Sequence, residues 1–306
     1  MTNLYSESPD QTGLVAEVIK VTHSGHTGLA TNIDGTISRL VTTPEEAEVS
    51  PACREALDRL SESGSFAVIA VISGRSAIES RRLVGLDRLH YIGNNGLEIL
   101  APGRPAAQPV KAARPYLSLI KTVLETIEHT LANFQSEQLA ATEGTGWFDN
   151  LIFENKGLAA SVHYRRFASD KLIKPLLLEK IGVIAGEVGL RVEETSKAVE
   201  IRPPVKVNKS TALTDLSESY RLNHLIYLGS EAGDLEAFHA LKRLAQEHHR
   251  VRQEVILDYP EFNGLNVAVR NPETPPELVT AADYRLEGVP GVEKFLAELA
   301  DNLKEG

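Results

Sequence analysis

The apolar positions of this chain change their spacing several times, and each change marks an element. Thr27-Gly28-Leu29-Ala30-Thr31 is a short run of small and apolar residues with the length of a buried strand. Asn32-Ile33-Asp34-Gly35-Thr36 closes it, with Gly35 free to turn the backbone sharply. Ser50 is a candidate N-cap with Pro51 at the first helical position, which predicts a helix running to about Ser63 and stopping at Gly64. Residues 65–72 are almost unbroken in their apolar character, the mark of a strand covered on both faces in a parallel sheet. That run ends at Ser73-Gly74-Arg75, and a helix over 76–84 and a short strand over 90–92 lead into Gly93-Asn94-Asn95-Gly96-Leu97-Glu98. Strands alternating with helices predict an α/β fold with a doubly wound parallel sheet, whose ligands lie at the C-terminal ends of the strands.

The pattern breaks at the Pro/Gly-rich joint around Pro102 and Pro105. A helical stretch over 114–135 follows, with Leu117, Ile120, Val123, Leu124, Ile127 and Leu131 at helical spacing. Strand-like runs over 151–154 and 159–164 flank the turn Asn155-Lys156-Gly157, and a helix over 170–188 precedes a second strand pair at 190–193 and 198–201. This order describes a compact α+β unit set into the core, with Pro203-Pro204 marking the return. A helix beginning near Lys209, a strand over 224–228 ending at Gly229-Ser230-Glu231, a helix from Asp234, a strand over 265–269 and a helix over 291–303 complete the series. The expected division is an N-terminal arm (1–26), a core (27–104 and 205–306) and an inserted α+β cap (105–204). The arm is read as solvated, and His248-His249 as part of a charged, exposed loop.

Composition narrows the function classes. A formal charge of -10 over 306 residues argues against a nucleic-acid or anionic-membrane partner, because either needs a positive surface field. No run reaches the length of a membrane span and no signal peptide is legible at the N-terminus. Cys53 is the single cysteine, which excludes an intramolecular disulfide, suits a cytoplasmic location and is expected to be packing filler on a helix. His23 and His26 have no carboxylate or thiolate nearby to complete a metal site.

Chemistry-bearing residues recur at the strand ends: Asp34, Ser73, Lys209, and the acids Glu231 and Asp234. Their order, with an insertion between the second and third, resembles the haloacid dehalogenase superfamily of phosphatases. The segments Asp34-Gly35-Thr36, Val71 to Arg75, Gly93 to Glu98, Lys156-Gly157 with His163-Tyr164-Arg165, Val199 to Pro203, and Val207-Asn208-Lys209 are similar to trehalose-6-phosphate phosphatases, from about Leu29 to Phe238. The resemblance implies nucleophilic attack by a carboxylate on the phosphoryl group, with Asp34 as general acid and base. It implies phosphate-binding roles for Thr36, Ser73, Gly74 and Lys209, and substrate-binding roles for Arg75, Asn95, Glu98, Lys156, His163, Arg165 and Glu200, with a cap that closes over the sugar. It implies Mg2+ as cofactor, held by positions 32, 34, 231 and 234.

The chain departs from that pattern where it matters most. Asn32 stands at the nucleophile, and a neutral amide neither attacks phosphorus nor offers a metal its negative charge. Ser230 replaces the first acid of the fourth motif, and Asn95 a histidine of the Gly-x-His-Gly segment. The expectation is a trehalose-6-phosphate phosphatase-like protein that binds trehalose 6-phosphate or a related sugar phosphate between core and cap. Hydrolysis is expected to be impaired and magnesium binding is in doubt. The alternative is a non-catalytic sugar-phosphate sensor or regulatory partner of a trehalose-phosphate synthase.

Overall fold

Burial on both faces places β1 at the centre of the architecture, since all five of its residues, Thr27–Thr31, are withdrawn from solvent. The structure, a computed structural model, describes residues 11–141, 146–195, 197–255 and 260–303. It divides into two compact units: the described residues up to Leu40 with Ala47–Ala107 and those from Val207 onward, and Val41–Glu46 with Gln108–Lys206.

The first unit begins with α1 (Gln11–Ser24), β1, α2 (Pro51–Glu62), β2 (Val68–Ile72), α3 (Ala77–Val84), β3 (His90–Gly93) and β4 (Glu98–Leu100). The second unit holds β5 (Gln108–Pro109), α4 (Leu117–Ala141), β6 (Ile152–Asn155), β7 (Ala160–His163), α5 (Ile173–Glu187), β8 (Arg191–Thr195) and β9 (Ala198–Arg202). The chain then returns to the first unit with α6 (Lys209–Tyr220), β10 (His224–Gly229), α7 (Ala232–Glu254), β11 (Asn263–Arg270), α8 (Pro276–Ala281), β12 (Tyr284–Glu287) and α9 (Gly288–Asn302).

In the first unit the sheet runs β12-β11-β10-β1-β2-β3-β4, parallel throughout except for the antiparallel β3/β4 hairpin. The order reverses at β1, whose neighbours are β2 on one side and β10 on the other, so the C-terminal ends of these three strands form the topological switch point. Thr31 pairs in register with Leu228 and with Val71, which brings residues 32, 73 and 230 to the same edge. Ala30, Ala70, Leu213, Tyr227, Phe238 and Leu241 form the core between the sheet and the α6/α7 layer. The expected caps are present: Ser50 Oγ accepts from the Cys53 amide at the start of α2, and Asn208 caps α6 in a reciprocal box with Thr211. Cys53 is buried, and the cost of burying a thiolate pushes its pKa up to about 12, so it packs as a small apolar group.

Two sequence expectations change. The residues read as a solvated arm form α1 from Gln11, the first ten lying outside the described residues. Leu14 and Val18 are fully buried, and the helix packs on α9 and β12. His248 and His249 lie within α7 and not in a loop; the His248 ring is 5.6 Å from that of Phe262, and its Nδ1 is 2.9 Å from the Pro260 carbonyl.

In the second unit the sheet order is β6-β7-β9-β8, all antiparallel. Ala160, Val162, Val199 and Ile201 point to α4 and α5, where Ile120, Ile127, Leu177 and Ile181 complete a separate core. Strand alternation turns Glu154, Ser161, Glu200 and Glu193, one row across the four strands, to the opposite face. Among the described residues no helix is long and apolar enough to cross a membrane.

Two histidines make the first unit sensitive to acid. His90 Nε2 lies 2.5 Å from the Tyr220 hydroxyl, and His224 Nε2 lies 3.1 Å from Ser24 Oγ. Burial lowers both pKa values below the usual imidazole range. The unfolded chain therefore binds protons that the folded chain refuses, and the stability contributed by the neutral rings is present above about pH 6.5 and is lost as pH falls below it. The thermal unfolding midpoint is expected to fall between pH 7.5 and pH 5.5, and the fall should be shallower in His90→Gln with His224→Gln.

Candidate functional site in the first unit

Immediately after β1, the Asn32 amide N–H donates to the Leu228 carbonyl at 2.9 Å, which extends the β1/β10 ladder by one residue and fixes the Asn32 side chain at the switch point. Asn32 Oδ1 accepts from the Ile33 amide at 2.8 Å. Its Nδ2 makes two longer contacts, 3.4 Å to the Asp34 carbonyl and 3.5 Å to Asp234 Oδ2. Gly35 then takes φ +73°, a left-handed conformation that L side chains rarely adopt, and a Cβ there would come within 2.8 Å of Ser230 Oγ.

Asp34 is gripped from the β2 side. Arg75 Nε and Nη2 reach its two oxygens at 2.8 and 2.9 Å, a bidentate pair with only 9% of the Arg75 side chain exposed. The Ser73 hydroxyl accepts from the Arg75 backbone N–H at 3.2 Å, so strand end and clamp form one unit. Asn94 and Asn95 both adopt positive φ, 52° and 56°. This costly stretch is held by backbone bonds from Asn94 to the Arg75 carbonyl and from Asn95 to the Ser73 carbonyl, and it carries the Asn95 side chain to Gly74, where an added Cβ would meet it at 3.5 Å.

On the β10 side Lys209, 2% exposed at the first position of α6, lies between Asp234 Oδ1 at 2.7 Å and the Glu231 carboxylate. Burial alone would lower its pKa, but Asp234 and Glu231 outweigh that and raise it above the ordinary lysine value. Asp234 is fully buried and takes further hydrogen bonds from the Tyr227 hydroxyl (2.6 Å) and the backbone N–H groups of Ser230 (2.7 Å) and Glu231 (3.0 Å). The Tyr227 phenol is held far above its ordinary pKa by burial and by Asp234, so it remains a donor. Glu231 has a raised pKa from burial, opposed by Lys209 and reinforced by Asp234. Ser230 Oγ donates to the Asp34 carbonyl at 2.9 Å and accepts from Thr36 Oγ1 at 3.0 Å.

The structure thus unites Asn32, Asp34, Thr36, Ser73, Arg75, Lys209, Ser230, Glu231 and Asp234 at one sheet edge. Three of the expected ligand groups have protein partners. Arg75 holds Asp34, Thr36 serves Ser230, and Glu98 accepts at Oε1 from the Ala77 N–H (2.8 Å) and Asn94 Nδ2 (3.0 Å), anchoring the start of α3. The proposed metal ligands also meet other partners. Asn32, Asp34, Glu231 and Asp234 are engaged by protein donors, and among the described residues no group of three or more His, Cys, Asp or Glu side chains is arranged to hold a metal. This donor set does not fit Mg2+, which demands near-octahedral oxygen coordination.

In the second unit Lys156 Nζ pairs with Glu200 at 2.8 Å, His163 Nε2 lies 2.8 Å from Glu154, and Arg165 follows β7 half-buried. Sequence reasoning missed Glu154, Glu193, Arg202 and Ser161 on the same sheet face. Arg202 Nη1 reaches Glu193 at 3.3 Å, and Ser161 Oγ is buried with no hydrogen-bond partner among the described residues. It also missed Tyr227. The alternation in 159–164 and 198–202 was a usable signal for the face, but nothing local marks a tyrosine that serves an aspartate.

A family model described as trehalose-phosphatase matches residues 30–258. The chain belongs to the trehalose-phosphatase family. The C-terminal domain of Candida albicans trehalose-6-phosphate phosphatase shares the fold, superposing with a TM-score of 0.73 at 20% identity and covering 98% of this chain and 99% of that one. The C-terminal domain of the C. albicans trehalose synthase regulatory protein gives 0.61 at 12% identity, covering 96% and 100%. A Mycobacterium tuberculosis protein described as an uncharacterized glycosyl hydrolase is 28% identical over 98% of this chain, which spans only 20% of that protein's length. The matched range contains Asp34, Ser73 and Lys209 together with the neutral side chains Asn32 and Ser230.

Proposed function

We propose that this chain is a trehalose-phosphatase-like protein that binds trehalose 6-phosphate or a related sugar phosphate and hydrolyses it poorly or not at all. The observation that carries this reading is Asn32. Its Oδ1 accepts from Ile33 N–H and its Nδ2 faces carbonyl and carboxylate oxygens, so the strand end presents an amide where an attacking carboxylate is required. Asp34, clamped by Arg75, has no nucleophile to assist. Ser73 and Lys209 remain at the switch point as phosphate-holding groups. Glu231 is the partner that can yield Lys209 to a phosphate oxygen, because 36% of its side chain is exposed whereas Asp234 is fully buried. The second unit carries Lys156, His163, Arg165 and Glu200, groups suited to sugar hydroxyls.

Calorimetric titration with trehalose 6-phosphate should give saturable binding that is lost in Ser73→Ala, while phosphate release stays about 10⁴-fold or more below ordinary phosphatase turnover. Rapid release that disappears in Asp34→Asn would overturn the reading.

A second reading is a regulatory partner of a trehalose-phosphate synthase. The fold shared with a protein named for that kind of regulation favours it. A change in synthase rate on addition of this chain, without sugar-phosphate turnover, would separate it from a sensor acting alone.

A further inference from the structure

The two neutral substitutions of the site meet at one atom. Asn32 Nδ2 and Ser230 Oγ both direct hydrogens at the Asp34 carbonyl oxygen, at 3.4 and 2.9 Å. Thr36 Oγ1 supports the arrangement by donating to Ser230 Oγ, leaving the serine hydrogen for the carbonyl. Asn32 Nδ2 also leans on Asp234 Oδ2, which accepts two backbone N–H groups, while Asp234 Oδ1 takes Lys209 and Tyr227. Asp34's own carboxylate is filled by Arg75. Every one of these oxygens therefore meets a hydrogen-bond donor of the protein, and the charge is balanced in part by two of its own cations.

We infer that Asn32 and Ser230 are a compensating pair: their donors, with Lys209 and Arg75, substitute for a divalent cation, and this site takes no magnesium. A carboxylate at either position alone would place a new anion against Asp234 or against the Asp34 carbonyl and remove a hydrogen-bond donor from it. Carboxylates at both positions would turn donors into acceptors around one carbonyl and recreate an oxygen cage that needs a cation. The inference rests on the proposed role of the strand ends as a sugar-phosphate site only for its consequence that ligand affinity is indifferent to magnesium; the metal titration itself needs no sugar phosphate.

The test uses the full chain with magnesium chloride as the probe. Titration calorimetry of the unaltered protein should show no saturable heat, and the thermal midpoint should be the same in EDTA as in about 10 mM magnesium, a concentration that would saturate an ordinary phosphatase site. Asn32→Asp should lower the midpoint by several degrees in EDTA and recover little with magnesium. Asn32→Asp with Ser230→Asp should be lower still in EDTA and rise by about 5 °C with saturating magnesium. Affinity for trehalose 6-phosphate should agree within about twofold with and without the metal. Saturable magnesium binding by the unaltered protein, with a matching rise in its thermal midpoint, would overturn the inference whether or not sugar phosphate binds. If no sugar phosphate binds while the metal titration stays flat, the functional reading fails and the compensating pair stands.

Discussion

Replacing Lys209 by methionine is expected to lower the free energy of unfolding by about 3–5 kcal/mol, because it leaves the buried Asp234 carboxylate without its cation. Asp234 is fully buried, and Lys209 is itself 2% exposed, so water cannot take over the ammonium's place without opening the α6/α7 junction. The effect is large against a typical total stability of about 5–15 kcal/mol. Tyr227 and the backbone N–H groups of Ser230 and Glu231 would still serve Asp234, so the loss is electrostatic rather than one of hydrogen bonding alone. Urea denaturation followed by circular dichroism measures it. Adding Glu231→Gln to the methionine variant should restore part of the loss by removing one of the stranded charges, and Asp234→Asn a different part. Additive losses in these combinations would mean that the three side chains do not act as a coupled group. Sugar-phosphate binding should disappear in Lys209→Met even where the fold survives.

Gly93→Ala should be comparably damaging for a different reason. A Cβ at Gly93 would lie 2.2 Å from the Ala77 backbone nitrogen and 2.8 Å from Glu98 Oε1. The first of these is backbone at the start of α3, which cannot rotate aside. A loss of roughly 3–5 kcal/mol is expected, at the upper end for a single substitution. Gly103→Ala is the matched control. That glycine has φ +68° but nothing within 4 Å of the added atom, so only backbone strain of about 1 kcal/mol applies. A Gly93→Ala variant no less stable than Gly103→Ala would show that α3 can shift freely. The damage should reach the site, because Asn94 and Asn95 follow directly and their amides hold the Arg75 and Ser73 carbonyls. Gly93 is thus a support of the Arg75 clamp although it touches no ligand.

Much of this architecture is legible along the chain because its signals are local. An apolar run such as Val68–Ile72 dictates a strand buried on both faces, and Ser50-Pro51 or Asn208 dictate helix starts through bonds only three residues long. The trehalose-phosphatase motifs are legible for the same reason. What was not legible depends on separation in sequence. The Arg75 grip on Asp34 spans 41 residues, and the Ser230 bond to the Asp34 carbonyl spans 196, so neither role can be read from its neighbourhood. The protein partners of Arg75, Thr36 and Glu98 come into view only in the fold. The helix α1 was misread because its polar composition hid a short pattern, Leu14, Val15 and Val18, whose meaning comes only from α9 and β12. His248 was misread because a charged segment can continue a helix when one edge, carrying Leu241 and Leu244, is buried.

The meeting of Asn32 and Ser230 at one carbonyl also bears on how such a site can change over generations. Each neutral side chain is now the reason the other is tolerated, so a carboxylate introduced at one position alone gives a protein less stable than the present one. With natural domains seldom far above their stability threshold, that variant is disfavoured. Under that coupling neither position changes independently: what is tolerated at residue 32 depends on residue 230, and the reverse.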